Sequence, residues 1–234
     1  MNTKVEEALK QEISYLNSAS FELLERYKAQ LKSYNSHTNV TALKEDDEID
    51  EKHYFDSIIL SKWMKESGKK VIDIGSGAGF PGLALAICQE ENDFVLVESI
   101  SKKTRLLESV STDLELSNVE IFSNRAEELI RQKNWYEHFD FGVCRAVASL
   151  NVMLELVAPY LKVGGRLLAQ KVNYEEEVAA ASHALSELGC EIVEIDEYVL
   201  PISNQRRYVL VIEKKRSSDA KYPRVSKQII KKPL

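Results

Sequence analysis

The sequence predicts an α/β fold, a seven-stranded and mostly parallel sheet with an antiparallel C-terminal hairpin and an N-terminal helical extension. Three observations predict it. Between about residues 70 and 190, short apolar runs of strand length alternate with stretches of helical period, the pattern of a parallel sheet with right-handed crossovers. Within that region VIDIGSGAGFPG (71–82) carries an apolar strand into three alternating glycines and then into a second apolar run, LALAIC, which reads as strand, tight turn and helix. Near the C-terminus, EIVEIDEYVL and RRYVLVIEK are separated by a connection containing Pro201 and Asn204. That connection is too short for a helical crossover, so the two strands pair antiparallel.

Residues 2–16 and 20–36 read as helices. In the second, Phe21, Leu24, Tyr27, Leu31 and Tyr34 recur every three or four residues behind Ser20 as an N-cap. The loop HTNVTALK leads into the acidic run EDDEIDE, which suits a helix N-terminus, and into a third helix whose Ile58, Leu60, Trp63 and Met64 pack on the succeeding core. SGKK ends that helix. Strands are expected near 71–75, 94–98, 119–122, 140–144 and 165–169, with helices at about 81–90, 102–115, 125–132, 150–161 and 175–188. Five parallel strands followed by an antiparallel hairpin is the plan of class I S-adenosylmethionine-dependent methyltransferases. The expected organisation is a helical extension (1–68), a Rossmann-like core (69–214) and a basic tail (215–234), together one structural domain.

A chain of 234 residues buries about 70–75% of the surface its unfolded form exposes, enough for one substantial core. No apolar run approaches the ~18 residues of a membrane helix, and MNTKVEEALKQE lacks the charged-then-apolar order of a signal peptide. Cys88, Cys144 and Cys190 are isolated, so neither a disulfide framework nor a metal site is implied. A cytoplasmic monomer without membrane contact is expected. The net charge of −6 argues against a general nucleic-acid binder, but residues 214–234 hold eight bases against Asp219 alone, a net +7 that leaves −13 on the rest. Such a tail either neutralises phosphates or is a frayed solubilising end.

The glycine turn implies a nucleoside ligand. Gly75, Gly77 and Gly79 remove the Cβ atoms that would hold a ligand off the backbone, and the N-H groups of the helix start point at it. Pro81 suits the first helical turn. Glu98 closes the second strand, FVLVES, about where a Rossmann-like unit places the acid that binds ribose hydroxyls. The spacing is G-x-G-x-G, with Phe80 where a dinucleotide fingerprint has its third glycine. Asp73 would repel a pyrophosphate yet could pair with a cationic amino group. Both features favour S-adenosylmethionine. Ligands of open sheets sit outside the carboxyl ends of the strands, which adds the loops SNRAEEL (123–129) and CRAVASL (144–150). Ala126 and Glu127 could present backbone and carboxylate to an adenine, and Arg145 would stand at the mouth beside the methyl donor. For Arg125, Glu127 and Glu128 a solvated helix start is the competing reading.

The runs NVTA (39–42), HYFDS (53–57), DIGSGAGFPG (73–82), SKKTRLLESV (101–110), RAEE (125–128), CRAVASL (144–150), YPR (222–224) and the final KKPL together resemble the RsmG (GidB) family. The resemblance spans nearly the whole chain. It implies methylation of guanine N7 in the decoding-region loop of bacterial 16S ribosomal RNA, naked or within a 30S subunit. It also implies S-adenosylmethionine contacts around Gly75 and Phe80, at Ala126 and Glu127, and by Arg145. The basic positions Lys102, Lys103, Arg105, Arg206 and the tail with Arg224 become candidates for RNA contact, and His53 joins them because HYFDS could fold over the ligand edge. The chain departs from the family at Cys144, usually Ser, at Val172, usually Gly, and near Lys227, where a Gly is usual. The first departure speaks against Cys144 as a nucleophile.

Guanine N7 carries a free in-plane lone pair and needs no general base, so the scarcity of histidine (His37, His53, His138, His183) is no objection. His53 and Asp56 also read as a helix-surface pair, and Trp135 and Tyr136 as packing aromatics. Spacing and composition leave open a methyltransferase acting on another RNA, a protein or a small molecule, and a non-catalytic RNA-binding or adenosine-sensing module.

Overall fold

A computed structural model describes residues 1–145 and 148–234. Its seven strands, β1 Lys70–Ile74, β2 Asp93–Val97, β3 Val119–Phe122, β4 Phe139–Cys144, β5 Leu161–Lys171, β6 Cys190–Val199 and β7 Arg206–Lys214, form one sheet in the order β3-β2-β1-β4-β5-β7-β6. The first five are parallel, and β7 runs antiparallel between β5 and β6. The chain works outward from β1 to β3 and returns to lay β4 against the other side of β1. That reversal opens a crevice at the carboxyl ends of β1 and β4, where the glycine turn and Arg145 come directly after the strands.

The helices are α1 Thr3–Glu12, α2 Ser18–Thr38, α3 Asp46–Ile49, α4 Asp56–Ile58, α5 Gly82–Cys88, α6 Ser101–Asp113, α7 Ala126–Lys133, α8 Leu150–Val157, α9 Glu175–Ala180, α10 Ser182–Leu188 and α11 Ser226–Lys231. Alternating strand residues feed two cores. Val71, Phe94, Leu96, Val209 and Val211 face the N-terminal helices, α5 and α6, while Ile72, Val95, Val97, Leu210 and Ile212 face α7, α8 and α10. This period of two is what a sheet covered on both faces requires.

Several elements differ from the sequence-based expectation. Asn17, not Ser20, caps α2, its side chain accepting the Ser20 N-H at 3.1 Å. The third helix is not regular: α3 passes into π-type turns over Asp50–Phe55, then α4 and a 3₁₀ turn, Ile59–Trp63. Pro81 precedes α5 rather than opening it. The expected helix 175–188 breaks at Ala181, and β5 is longer than 165–169 because the chain between Phe139 and Phe141 shifts register against it.

The helical extension is anchored to the glycine turn. Tyr27 on α2 donates its hydroxyl to the Ala78 carbonyl, Tyr54 donates to Leu24 O at 2.9 Å, and buried Lys28 pairs with buried Asp50 at 2.9 Å. The basic tail is docked rather than frayed. Lys214 is buried against Leu161 O at 2.9 Å and Glu137 at 3.2 Å, Tyr222 and Ile229 are buried, and Asn151 donates to Leu234 O at 3.1 Å. Arg224, one of the RNA candidates, has its guanidinium forked onto Glu155, which is fully buried in α8, at 2.8 and 2.6 Å. Among the described residues no helix is long and apolar enough to cross a membrane.

Candidate active site

The turn after β1 is held from both sides. Gly75 and Ser76 donate their N-H groups to Val97 O, at 2.8 and 3.2 Å, so the turn is tied to the end of β2. Glu98 then clamps it, one carboxylate oxygen accepting the Gly77 N-H at 2.9 Å and the other the Ile100 N-H at 2.8 Å. A carboxylate offers about four acceptor sites, so two remain for hydroxyls.

The glycines divide by task. Gly77 has φ +61° and a Cβ there would meet nothing nearer than Gly75 O at 3.8 Å, because this position faces an open cleft. Gly79, at φ +102°, leaves its missing side chain to the Tyr27 hydroxyl and to Leu83, so it serves the packing of α2. Gly77→Ala is therefore expected to weaken S-adenosylmethionine binding about tenfold while costing roughly 1–2 kcal/mol of stability for the left-handed backbone. Gly79→Ala should instead lower stability by about 1–3 kcal/mol through overpacking. Calorimetric titration together with thermal melting of both variants separates the two roles.

Phe80 is the floor of the cleft. Its ring stacks on His53 at 4.2 Å between centroids and on Tyr27 at 5.3 Å, and the Arg145 guanidinium lies 5.5 Å from its centre. Arg145 donates to Lys52 O at 2.6 Å, to Asp56 Oδ2 at 3.1 Å and to His53 Nδ1 at 2.8 Å. An arginine only donates, so the His53 proton sits on Nε2 and is given to Thr41 Oγ1 at 2.8 Å. Asp56 in turn accepts the Tyr198 hydroxyl at 2.5 Å, and Gln170 donates to Tyr198 at 2.7 Å and to the Asp56 carbonyl. Three distant stretches, 41–56, 145 and 170–198, thus fix one guanidinium. The π-type turns bring His53 and Asp56 to it together.

Burial pushes the His53 imidazole down to about 3, and the adjacent Arg145 charge adds to the shift. His53 stays neutral at physiological pH and has both nitrogens engaged, so it does not act as a general base. Burial also drives the Cys144 thiol well above its usual range, which removes it as a nucleophile. Asp73 is wholly buried under the turn, with Oδ2 accepting the Gly82 N-H at 2.9 Å and Oδ1 without a hydrogen-bond partner among the described residues. Burial raises its pKa to about 7, against the lowering effect of the Gly82 bond. The folded protein therefore binds this proton more tightly than the unfolded chain, and stability falls as pH rises from the ordinary carboxylate range to about 7. Asp73→Asn, which keeps the Gly82 bond, is expected to raise the melting temperature at pH 8 and leave it nearly unchanged at pH 4. Melts at the two pH values check this.

The cleft holds about 660 Å³ and is walled by Gly75, Gly77, Phe80, Glu98, Lys103 and Arg145, with His53 and Arg207 among its other lining residues. A second cleft of about 450 Å³ adjoins it, sharing Asp56, Arg145, Val172 and Arg207. Ala126 and Glu127 are buried at the first turn of α7, next along the same sheet edge, and do not line either cleft. Lys102 donates to Thr38 O and Asn39 O, ending α2, and Arg105 is exposed on the same helix as Lys103. Arg206 is 70% exposed and 3.5 Å from Glu197. Arg207, Gln170, Lys171 and Tyr198 join the site from stretches where no local sequence pattern marks them. In CRAVASL, Ala146 and Val147 lie outside the described residues.

These features fit S-adenosylmethionine: an open Gly77 face and spare acceptor capacity on Glu98; Asp73 lines neither cleft and supports the turn from beneath. The structure also resembles solved methyltransferases. A SAM-dependent methyltransferase from Aquifex aeolicus aligns with TM-score 0.54 at 14% identity, covering 80% of this chain and 98% of that one. M. jannaschii TYW2 in complex with AdoMet aligns at 0.51 and 16% identity, over 63% and 68%. Identities this low establish the class I fold alone. Relatives named ribosomal RNA small subunit methyltransferase G are far closer in sequence. The one from Fusobacterium nucleatum is 46% identical over 209 residues, 89% of both chains, and that from Acetivibrio thermocellus is 42% identical over 89% of this chain and 86% of its own. The family model GidB, rRNA small subunit methyltransferase G, matches residues 20–209, from α2 through the glycine turn and Arg145 into β7. The chain that builds this cleft therefore belongs to the rRNA small subunit methyltransferase G family.

Proposed function

We propose that the protein transfers a methyl group from S-adenosylmethionine to N7 of a guanine in the decoding-region loop of small-subunit ribosomal RNA. The observation that carries the reading is identity of 46% to a relative named for that RNA, running through 89% of the chain. The chemistry of the cleft agrees with it. Bound S-adenosylmethionine supplies an activated methyl group on a sulfonium. Guanine N7 attacks with its own lone pair, so the protein has to orient the partners rather than remove a proton. His53 is neutral with both nitrogens engaged, as a reaction needing no base permits. Glu98 and the turn hold the nucleoside end, while Arg145, fixed by Lys52 O, Asp56 and His53, is the rigid wall shared by the two clefts and serves to position the partners.

RNA approaches the same edge, with Lys103 and Arg207 on the cleft wall and Arg105 and Arg206 exposed nearby. Each phosphate these side chains neutralise adds to the salt dependence of binding. The physiological substrate is the RNA within a partly or fully assembled 30S subunit, and the enzyme acts as a cytoplasmic monomer. Small-subunit RNA from a deletion strain, digested and assayed at that loop, is expected to lack 7-methylguanosine and to regain it on complementation. Unchanged 7-methylguanosine in the deletion strain would overturn the reading. Naked RNA and isolated subunits, assayed side by side with the purified protein, test which form it accepts.

A further inference from the structure

The second cleft has a polar back wall that the cofactor does not need. Lys171 ends β5 with its side chain 8% exposed, and its ammonium meets Glu177 Oε2 at 2.6 Å and Ala148 O at 3.5 Å. The same Glu177 oxygen accepts the Leu150 N-H at 2.8 Å, tying α9 to the start of α8. Glu177 Oε1 has no hydrogen-bond partner among the described residues. Both side chains line the cleft, and Arg145, Asp56, Val172 and Arg207 line both it and the cofactor cleft. The pair thus shows the cleft a donor next to an acceptor.

We propose that this second cleft receives the target guanine and that Lys171 and Glu177 read its Watson-Crick edge, an inference that rests on the function proposed above. Guanine presents O6, an acceptor, beside N1-H and N2-H, both donors, and so complements ammonium beside carboxylate. Adenine presents the reverse, an N6 donor beside the N1 acceptor, and would set like against like. N7 lies on the neighbouring edge, next to O6, where the pair does not occupy it. A base read in this way keeps N7 available to the boundary with the cofactor cleft. At about 450 Å³ the cleft is in the range of small-molecule sites. A purely structural Lys171–Glu177 pair would hold α9 and α8 together but would be indifferent to which purine is offered.

Glu177→Gln tests this. Its carbonyl oxygen can keep the Lys171 and Leu150 bonds, while the amide nitrogen turns the Oε1 acceptor into a donor. The probes are small subunits carrying either guanine or adenine at the target position, with labelled S-adenosylmethionine. The unaltered protein should methylate guanine and discriminate strongly against adenine. Glu177→Gln should lower kcat/KM for guanine by about 100-fold, within what one base-edge pair discriminates. It should narrow the guanine-to-adenine preference by a similar factor and leave S-adenosylmethionine affinity in place, while the melting midpoint falls because buried Lys171 loses its counter-charge, so both proteins are assayed well below their midpoints. An unchanged preference, whether or not the rate falls, would overturn the inference and leave the proposed function standing. Failure of the unaltered protein to methylate the guanine subunits would overturn the proposed function itself.

Discussion

Arg145→Ala is expected to lower kcat/KM for RNA methylation by about 100-fold, the order of what misplacing the reacting partners costs. The size reflects how firmly the side chain is held. Its guanidinium is fixed by Lys52 O, Asp56 and His53 and lies over Phe80, so little reorganisation is left to occur during reaction. Truncation also leaves the buried Asp56 carboxylate without its cation, a loss that can reach about 3–5 kcal/mol of stability. A fall in activity alone would therefore not separate chemistry from folding. Arg145→Lys does so, because it restores a charge near Asp56 but not the planar fork that reaches His53 and Lys52 O at once. That variant should melt close to the unaltered protein, bind S-adenosylmethionine within a few-fold, and still turn over about 100-fold more slowly. Unaltered kcat/KM in Arg145→Ala would remove Arg145 from the site.

The parts of this site that are legible in the sequence are those set by local chain geometry. A strand, a glycine-rich turn and a helix announce themselves within VIDIGSGAGFPG, and Glu98 and Arg145 join them because they end the strands on either side of the reversal in sheet order. The exception within that stretch is Gly79. Its spacing marks it as part of a ligand cradle, yet its empty side-chain position is filled by Tyr27, a residue 52 positions earlier in the chain. Arg207, Gln170 and Tyr198 are invisible for the same reason at larger scale. The contact between Tyr198 and Asp56 joins residues 142 apart, and nothing in the composition near either one reports the other. The π-type turns at Asp50–Phe55 are marked by no residue type in the sequence, so HYFDS reads as an ordinary helix surface pair. The charge of the tail misleads in part because a count of bases says nothing of their partners. A signal does exist in Glu155, the lone acid in the apolar helix LNVMLELV, since a carboxylate there needs a cation from elsewhere.

That pairing gives Arg224→Ala a large expected effect on stability. Glu155 is wholly buried and accepts three hydrogen bonds from one residue, the Arg224 backbone N-H at 2.9 Å and two from its guanidinium at 2.8 and 2.6 Å. Alanine keeps only the backbone bond and strands a buried charge, at a cost of about 3–5 kcal/mol. In a chain of this size each kcal/mol moves the melting temperature by roughly 2–4 °C, so the midpoint should drop by about 6–20 °C. Two controls keep this from being a generic loss of fold. Replacing both partners with leucine removes the stranded charge and should recover much of the midpoint, since an apolar pair can match a buried ion pair. Arg224→Ala assayed well below its midpoint should retain the salt dependence of RNA methylation, because its guanidinium is engaged by Glu155 and the Lys232 carbonyl. A midpoint unmoved by Arg224→Ala, with the salt slope reduced by about 1, would return Arg224 to the RNA surface and leave Glu155 without an account.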